Sequence, residues 1–274
     1  MQKLGKNATK ARATRKISSI HIAGWGLIGF GAIALTTSII YSSLILAFIG
    51  LGLVFWGIII NYITTEEYVK KTLLDTTTLP SLTIIDEMLK ELNYNSKAVY
   101  LPPKYLREIE SNKIYIPKHE GTKLPTPEQI LQEDKTFIRN PEAIVLTPLG
   151  NELTKLFEKT LNTSFAKVDL AYLVQEIPKL LIEDLEIAEN IKIEIENSIV
   201  RVRMENSIYK DICKESEKLS GMFRSLGCPI SSAIACTLAK ATGRPVIVSK
   251  HQTSEDGKII DVEYELLEEP KEKS

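Results

Sequence analysis

The stretch IKIEIENSIVRVRME, residues 191–205, decides the fold. Ile191, Ile193 and Ile195 alternate with Lys192, Glu194 and Glu196, Asn197-Ser198 interrupts the pattern, and Val200, Val202 and Met204 resume it against Arg201 and Arg203. Successive side chains of a strand point to opposite faces. A strict period of two on both sides of a turn therefore predicts an antiparallel hairpin with one buried and one wet face. On the wet face Arg201 and Arg203 would oppose Glu194 and Glu196, and cross-strand charge pairs account for them.

Working outward, a helical pattern covers about 207–225, Gly227 follows, and a second helix runs from Pro229 to about Thr242, where Gly243 stops it. RPVIVSKH and KIIDVEYELL form another hairpin around SEDG. Upstream, IVLTPLGNELTKLFEKTL reads as a short strand entering a helix, and DLAYLVQEIPKLLIEDLEIAE as further helix restarted at Pro178. The order helices-ββαα-ββ predicts an α+β domain over residues 144–268, an antiparallel sheet with helices on one face.

Residues 64–143 are less regular. TTEEYVKKTLLD and LPSLTIIDEMLKELN read as two helices, the second opened by Pro80. KAVYLPPKYL and NKIYIPK read as short strands. Residues 117–143, with Pro117, Pro125, Pro127 and Pro141, read as a linker holding a short helix at TPEQILQE, where Thr126 and Gln129 have capping-box spacing. Residues 269–274 form a tail.

The N-terminal quarter is of another kind. Residues 17–63 contain no Asp, Glu, Lys or Arg. A bilayer-spanning helix needs roughly 20 apolar residues, so the run predicts two spans, about 18–39 and 43–63, joined by a very short turn. It is too long for the roughly 7–15-residue apolar region of a secretory signal. Half of the 14 glycines fall in it, as expected of two helices in close contact. No charged residue marks an ion pathway, and His21 is a lone residue near one end.

Residues 1–16 carry six bases and no acid. Basic flanks stay cytoplasmic, which predicts a two-pass plasma-membrane protein with both termini in the cytoplasm. Residues 64–274 hold all 35 acids and 28 of the 34 bases, a net charge of −7. Nucleic-acid binding calls for a basic face, and none is expected.

The stretch that looks most like chemistry is LGCPISSAIAC, residues 226–236. Cys228 falls at the cap of the 229–242 helix with Pro229 in its first turn, a position that lowers thiol pKa. The histidines His21, His119 and His251 have no motif relation to it. Small residues at 231, 232, 233, 235, 236 and 239 describe instead a helix pressed against another backbone. Packing is the favoured role of Cys228 and Cys236. Cys228, with Ser231 and Ser232, is also the candidate ligand-binding set, and Cys228 the candidate catalytic thiol. Cys213, Cys228 and Cys236 lack paired metal-ligand spacing, so neither metal nor cofactor is expected. A cytoplasmic body argues against a structural disulfide.

The tail GCPISSAIACTLAKATGRPVIVSKHQTSEDGKIIDVEYEL resembles, in element order, the vinyl-reductase-like hydrocarbon-binding domains. The resemblance implies a fold that binds a small apolar molecule or dimerises; the ligand residues that family carries around its last turn are missing from KHQTSEDGKI. The layout of basic N-terminus, apolar hairpin and YLPP…TPLG…GCP body is similar to that of uncharacterised archaeal membrane proteins. The functional expectation is a membrane-anchored sensor or scaffold that binds a small apolar ligand, a protein partner or a second copy of itself, without catalysis. The alternative is a membrane-associated enzyme acting on a lipid or thiol substrate through Cys228.

Overall fold

The charge-free run forms two helices, α1 (Ala23–Tyr41) and α2 (Leu44–Tyr62). At about 1.5 Å per residue each reaches about 28 Å, close to the roughly 30 Å of a hydrocarbon core. The computed structural model describes residues 23–62, 71–106, 112–133 and 136–268. The basic tail 1–16, His21, the start of the first expected span, residues 64–70 and the tail 269–274 lie outside the described residues. The chain divides into two compact units, Met1–Val69 and Lys70–Ser274.

In the first unit the chain reverses between the helices within two residues. Ser43 N–H donates to the Ser38 carbonyl at 3.1 Å, and the Ser38 hydroxyl donates to the Ser43 carbonyl at 2.8 Å. Gly24 and Gly31 of α1 face Gly57 and Gly50 of α2. A Cβ on Gly31 would stand 2.8 Å from the Gly50 carbonyl oxygen, and one on Gly57 2.9 Å from that of Gly24. Four of the seven glycines thus serve helix contact, while Gly26, Gly29 and Gly52 meet nothing within 4 Å. Phe30, Ile39, Phe48 and Phe55 stand exposed on the outside.

The second unit is built on one eight-stranded antiparallel sheet, in the order β3-β4-β2-β1-β7-β8-β6-β5. Its strands are β1 (Val99–Leu101), β2 (Lys113–Pro117), β3 (Phe137–Arg139), β4 (Glu142–Leu146), β5 (Asn190–Glu196), β6 (Ile199–Glu205), β7 (Val246–Thr253) and β8 (Ile259–Leu266). The boundary expected at residue 143 falls inside β4, and strands from both sides of it share the sheet. Residues 117–143 are more than a linker: they hold β3 and α4 (Pro127–Glu133), where Thr126 N–H donates to Gln129 Oε1 at 2.9 Å.

The β5–β6 hairpin pairs Glu194 with Arg201, and Asn197 turns it at φ 54°. On the wet face Arg201 reaches Glu196 at 2.6 Å and Glu263 of β8 at 2.9 Å, and Arg203 reaches Asp261 at 2.8 Å. The arginines are therefore shared with β8.

Seven α-helices of this unit fall among the described residues. With α4 these are α3 (Lys71–Glu91), α5 (Asn151–Thr160), α6 (Leu170–Lys179), α7 (Lys210–Glu217), α8 (Ser220–Leu226) and α9 (Pro229–Thr242). Three expectations change. The described end of the first expected helix, residues 71–75, and the helix read after Pro80 are one, α3, which passes through the proline at the cost of one backbone hydrogen bond. The helix expected at 207–225 is divided into α7 and α8. Pro178 does not restart α6, which runs through it into a π-helical turn at Leu180–Asp184.

Helices also lie on both faces, not one. Tyr100, Ile114, Ile116 and Ile144 join the main core, whereas their neighbours Val99, Leu101, Tyr115 and Ala143 join a second cluster with Ile130 of α4. Strands β1, β2 and β4 are thus covered on both sides.

At the centre of the main core lies α9, buried at every residue from Ile230 to Lys240. Gly150, just before α5, explains its small residues: a Cβ there would overlap the backbone of Ala233. Gly150 N–H donates to Ser232 Oγ at 3.0 Å, and Thr154 Oγ1 donates to the Ala233 carbonyl at 3.2 Å.

Across the helical layer, Asp86 of α3 caps α8. Its Oδ1 accepts from Met222 N–H at 2.8 Å and its Oδ2 from Lys90 Nζ at 2.7 Å. Burial pushes the carboxyl up, but Lys90 and the Met222 N–H together hold it below its ordinary value. Asp86→Ala should cost about 1–3 kcal/mol, because a buried N–H loses its partner. A carboxyl depressed in the folded state stabilises above its unfolded pKa, and that contribution is lost as pH falls through the folded one. Urea unfolding of residues 64–274 should therefore show the Asp86→Ala difference at about pH 7 and little of it near pH 2, below the carboxylate range. An equal difference at both values would contradict the cap.

Candidate functional site

Cys228 occupies the cap of α9 with extended backbone (φ −97°, ψ 167°), and Pro229 opens the helix. Cys228 N–H donates to Ser231 Oγ at 2.9 Å, and that hydroxyl lies 2.9 Å from the Cys228 carbonyl as its donor. Ser231 is thereby committed to the cap and Ser232 to Gly150. The three sequence candidates are neighbours in the chain, but the two serines hold α9 in place.

The turn that delivers Cys228 depends on Gly227, at φ 69° and ψ −157°, a region nearly exclusive to glycine. A Cβ there would lie 2.5 Å from Ser231 Oγ and 3.4 Å from His251 Nδ1. Two sheet tyrosines pin the flanks: Tyr100 Oη donates to the Leu226 carbonyl at 2.8 Å, and Tyr264 Oη to the Ser231 carbonyl at 3.0 Å. Burial raises both phenols well above their ordinary pKa, so they remain hydrogen-bond donors.

Contrary to the sequence expectation, Cys228 is disulfide-bonded. Its partner is Cys213 of α7, with a Cα–Cα distance of 5.2 Å and a sequence separation of 15. Both cysteines are wholly buried. Cys236 is a free, buried thiol, pushed up by burial.

The third member of the cluster, His251, has no sequence relation to the first two. Strand β7 changes phase on the way to it: Val248 pairs with Tyr264 and Lys250 with Glu263, with an irregularity between Val248 and Lys250. Ser249 is the extra residue. Bulges re-aim side chains, and here Val246 and Val248 face the helices before the bulge, His251 and Thr253 after it. Without it Lys250 would point into the core. His251 pairs with the core residue Val262 and stacks on Phe223 of α8, centroids 4.5 Å apart.

Donor atoms of Cys213, Cys228 and His251 lie within 4.8 Å of one another. Neither ring nitrogen of His251 has a hydrogen-bond partner among the described residues. Burial pushes the imidazole down to about 4, leaving it neutral near pH 7. Beside it opens a cleft of about 550 Å³ lined by Phe223, His251, Thr253, Arg203 and Asp261. Two sulfurs that can be a disulfide or a dithiol, next to a neutral imidazole, suit thiol redox chemistry or a soft metal ion. Sequence reasoning missed Cys213 and His251 as members. The available signal was the broken alternation of VIVSKHQT, where a lysine falls at an inward position.

Fold and site define an α+β domain with an internal disulfide and histidine, in a chain that also carries an apolar helical hairpin. The chain belongs to the family described as a domain of unknown function, DUF7982, whose model matches residues 2–264. No curated protein and no solved structure matches it.

Proposed function

We propose that this is a two-pass membrane protein whose body, residues 64–274, faces the cytoplasm and acts by binding, as a sensor or scaffold, without catalysing a reaction. The observation that carries the anchor is an uncovered apolar hairpin. Among the described residues three segments are long and apolar enough to cross a membrane: Ala23–Tyr41, Leu44–Tyr62 and Ser220–Thr242. Their most apolar windows are 17%, 11% and 83% buried. The third, α8 with α9, finds its apolar surroundings inside its own domain, while the first two need an apolar solvent. The likeness to archaeal membrane proteins supports the same layout, and the six N-terminal bases support the orientation.

The occupant is a small apolar molecule, the ligand suggested by the hydrocarbon-binding likeness, or a protein partner or second copy. The apolar gap between α6 and the β5–β6 hairpin offers only about 10 Å³, but the cleft beside Val99, Tyr115, Leu124, Ile247 and Leu267 measures about 500 Å³, within the roughly 300–1,000 Å³ of ligand pockets. The enzymatic reading through Cys228 gains His251 as a neighbour, but it needs a free thiol, and the Cys228 sulfur is held in the disulfide with Cys213.

Reporter fusions at the two termini test the arrangement. Both should report cytoplasm, and the chain should resist alkaline extraction from membranes. An external terminus would overturn the orientation, and release by alkali the anchor.

A further inference from the structure

We infer that Cys213, Cys228 and His251 form a redox-gated site for one thiophilic d10 cation, with Cu⁺ the ion best served by three ligands. For its reductant the inference rests on the cytoplasmic placement of the body; the chemistry of the cluster does not depend on it.

The first observation is convergence. Helix α7, the start of α9 and strand β7 each deliver one soft or borderline donor to a volume within which the donor atoms are no more than 4.8 Å apart. Delivery of the histidine takes a bulge at Ser249, and delivery of Cys228 takes a glycine in a backbone region that other residues avoid. Two separate irregularities serve the same cluster.

A second, independent observation is the unpartnered imidazole. Buried polar atoms are nearly always hydrogen-bonded, and exceptions call for an explanation. Both His251 nitrogens are buried without a partner among the described residues. The disulfide beside them has no S–H to donate. Reduced, a thiol can donate to the ring; metallated, a ring nitrogen is a ligand. The orphan is thus a property of the oxidised state, and either product of reduction removes it.

The donor set selects the ion. Two thiolates and one imidazole favour Cu⁺ or Zn²⁺ over harder cations. Zinc completes a tetrahedron with a fourth ligand, but among the described residues the cluster has no fourth His, Cys, Asp or Glu. Ser231 Oγ is bonded at 2.9 Å both to the Cys228 N–H and to its carbonyl, and Phe223 covers a face of the ring. Three ligands in an apolar setting leave a closed-shell monovalent ion satisfied. The cleft beside His251 brings solvent to the ring's edge, and the two sulfurs lie behind it.

The gate is the S–S bond. A cellular dithiol reduces it: two electrons pass to the Cys213–Cys228 bond, which breaks, and the reductant's sulfurs join in a disulfide of their own. The two protons of the reductant end on Cys213 and Cys228. Cu⁺ then displaces these protons to solvent and bonds both sulfurs, while His251 contributes a lone pair with no change in protonation. Oxidation of the pair by a disulfide reverses the sequence and releases the ion.

The test uses the full chain in detergent, either reduced with a phosphine and desalted without air or kept oxidised. Cu⁺ is supplied from a coloured bis-chelate competitor, and Zn²⁺ is titrated in parallel. The expected result is one equivalent of Cu⁺ taken by the reduced protein and none by the oxidised one. Cys236→Ala should bind as the parent does. His251→Phe, which keeps a ring against Phe223, should weaken binding at least about tenfold. The copper-edge absorption spectrum of the unsubstituted reduced protein should show two sulfur neighbours and one nitrogen, which keeps the test decisive if a variant does not fold. Equal uptake in both redox states, no uptake, or a spectrum without two sulfurs would overturn the inference. Zn²⁺ binding to a protein that ignores Cu⁺ would overturn the three-coordinate assignment. These readings do not involve topology, so their failure is distinct from failure of the reporter fusions.

Discussion

Lys240→Ala is expected to destabilise the body by about 3–5 kcal/mol, the scale for removing one partner of a buried ion pair. Lys240 Nζ lies 3.0 Å from Glu158 Oε2, with the two side chains 1% and 17% exposed. The carboxylate is also committed elsewhere: Glu158 Oε1 accepts from Phe165 N–H at 2.9 Å. Glu158 therefore cannot swing to water without abandoning the turn at Phe165–Lys167, and alanine at 240 strands its shielded negative charge beside the last turn of α9. There the helix C-terminus itself disfavours an anion. Urea unfolding of residues 64–274 measures the loss. Because Lys240→Met with Glu158→Gln leaves no stranded charge, the double variant should recover most of it. By contrast, loss of the exposed Arg201–Glu196 pair should cost about 0–1 kcal/mol. A Lys240→Ala loss in that lower range would show that solvent reaches Glu158.

Where local pattern carried the information, the sequence was a reliable guide. The period-two stretch at 191–205 became β5 and β6, and the bounds of α9 follow from Pro229 and Gly243, the latter left-handed at φ 65°. The assembly of the first half was not legible, for physical reasons. Strands β1, β2 and β4 are covered on both faces, so they show no apolar–polar alternation, and β1 has only three residues. Their place is fixed by pairing across long separations, such as Val99 with Ile247, which no local pattern encodes. Pro80 looked like a helix start because a proline suits one; inside α3 it is tolerated by a helix long enough to lose a bond. The candidate site divides in the same way. Cys228 could be placed at its helix cap from residues 227–231 alone. Its partners could not be found, since Cys213 is 15 residues away without a motif and His251 owes its direction to a bulge.

Reducing the Cys213–Cys228 bond in metal-free protein should lower stability by about 3 kcal/mol, the loop-closure value for about 15 residues. The cross-link ties α7 to the start of α9 across a separation of 15 residues, and the closed loop contains α8. Its constraint acts on the unfolded chain, which gains freedom when the bond opens. The folded chain keeps α8 by other means: Asp86 holds Met222 N–H, Tyr100 holds the Leu226 carbonyl, and Ala98 N–H donates to the Ser225 carbonyl at 2.9 Å. Reduction should therefore lower the urea midpoint without lowering the slope, because the folded chain keeps its shape and the freed unfolded chain exposes at least as much surface. Cys236→Ala should show the same shift with reductant, because that thiol takes no part in the bond. Cys213→Ala should be insensitive to reductant and should unfold near the reduced parent. A parent whose midpoint ignores reductant would mean that the bond does not form in solution. A lower slope would mean that α8 leaves the sheet when the bond opens, making the cross-link a condition of the local fold and not a removable constraint on it.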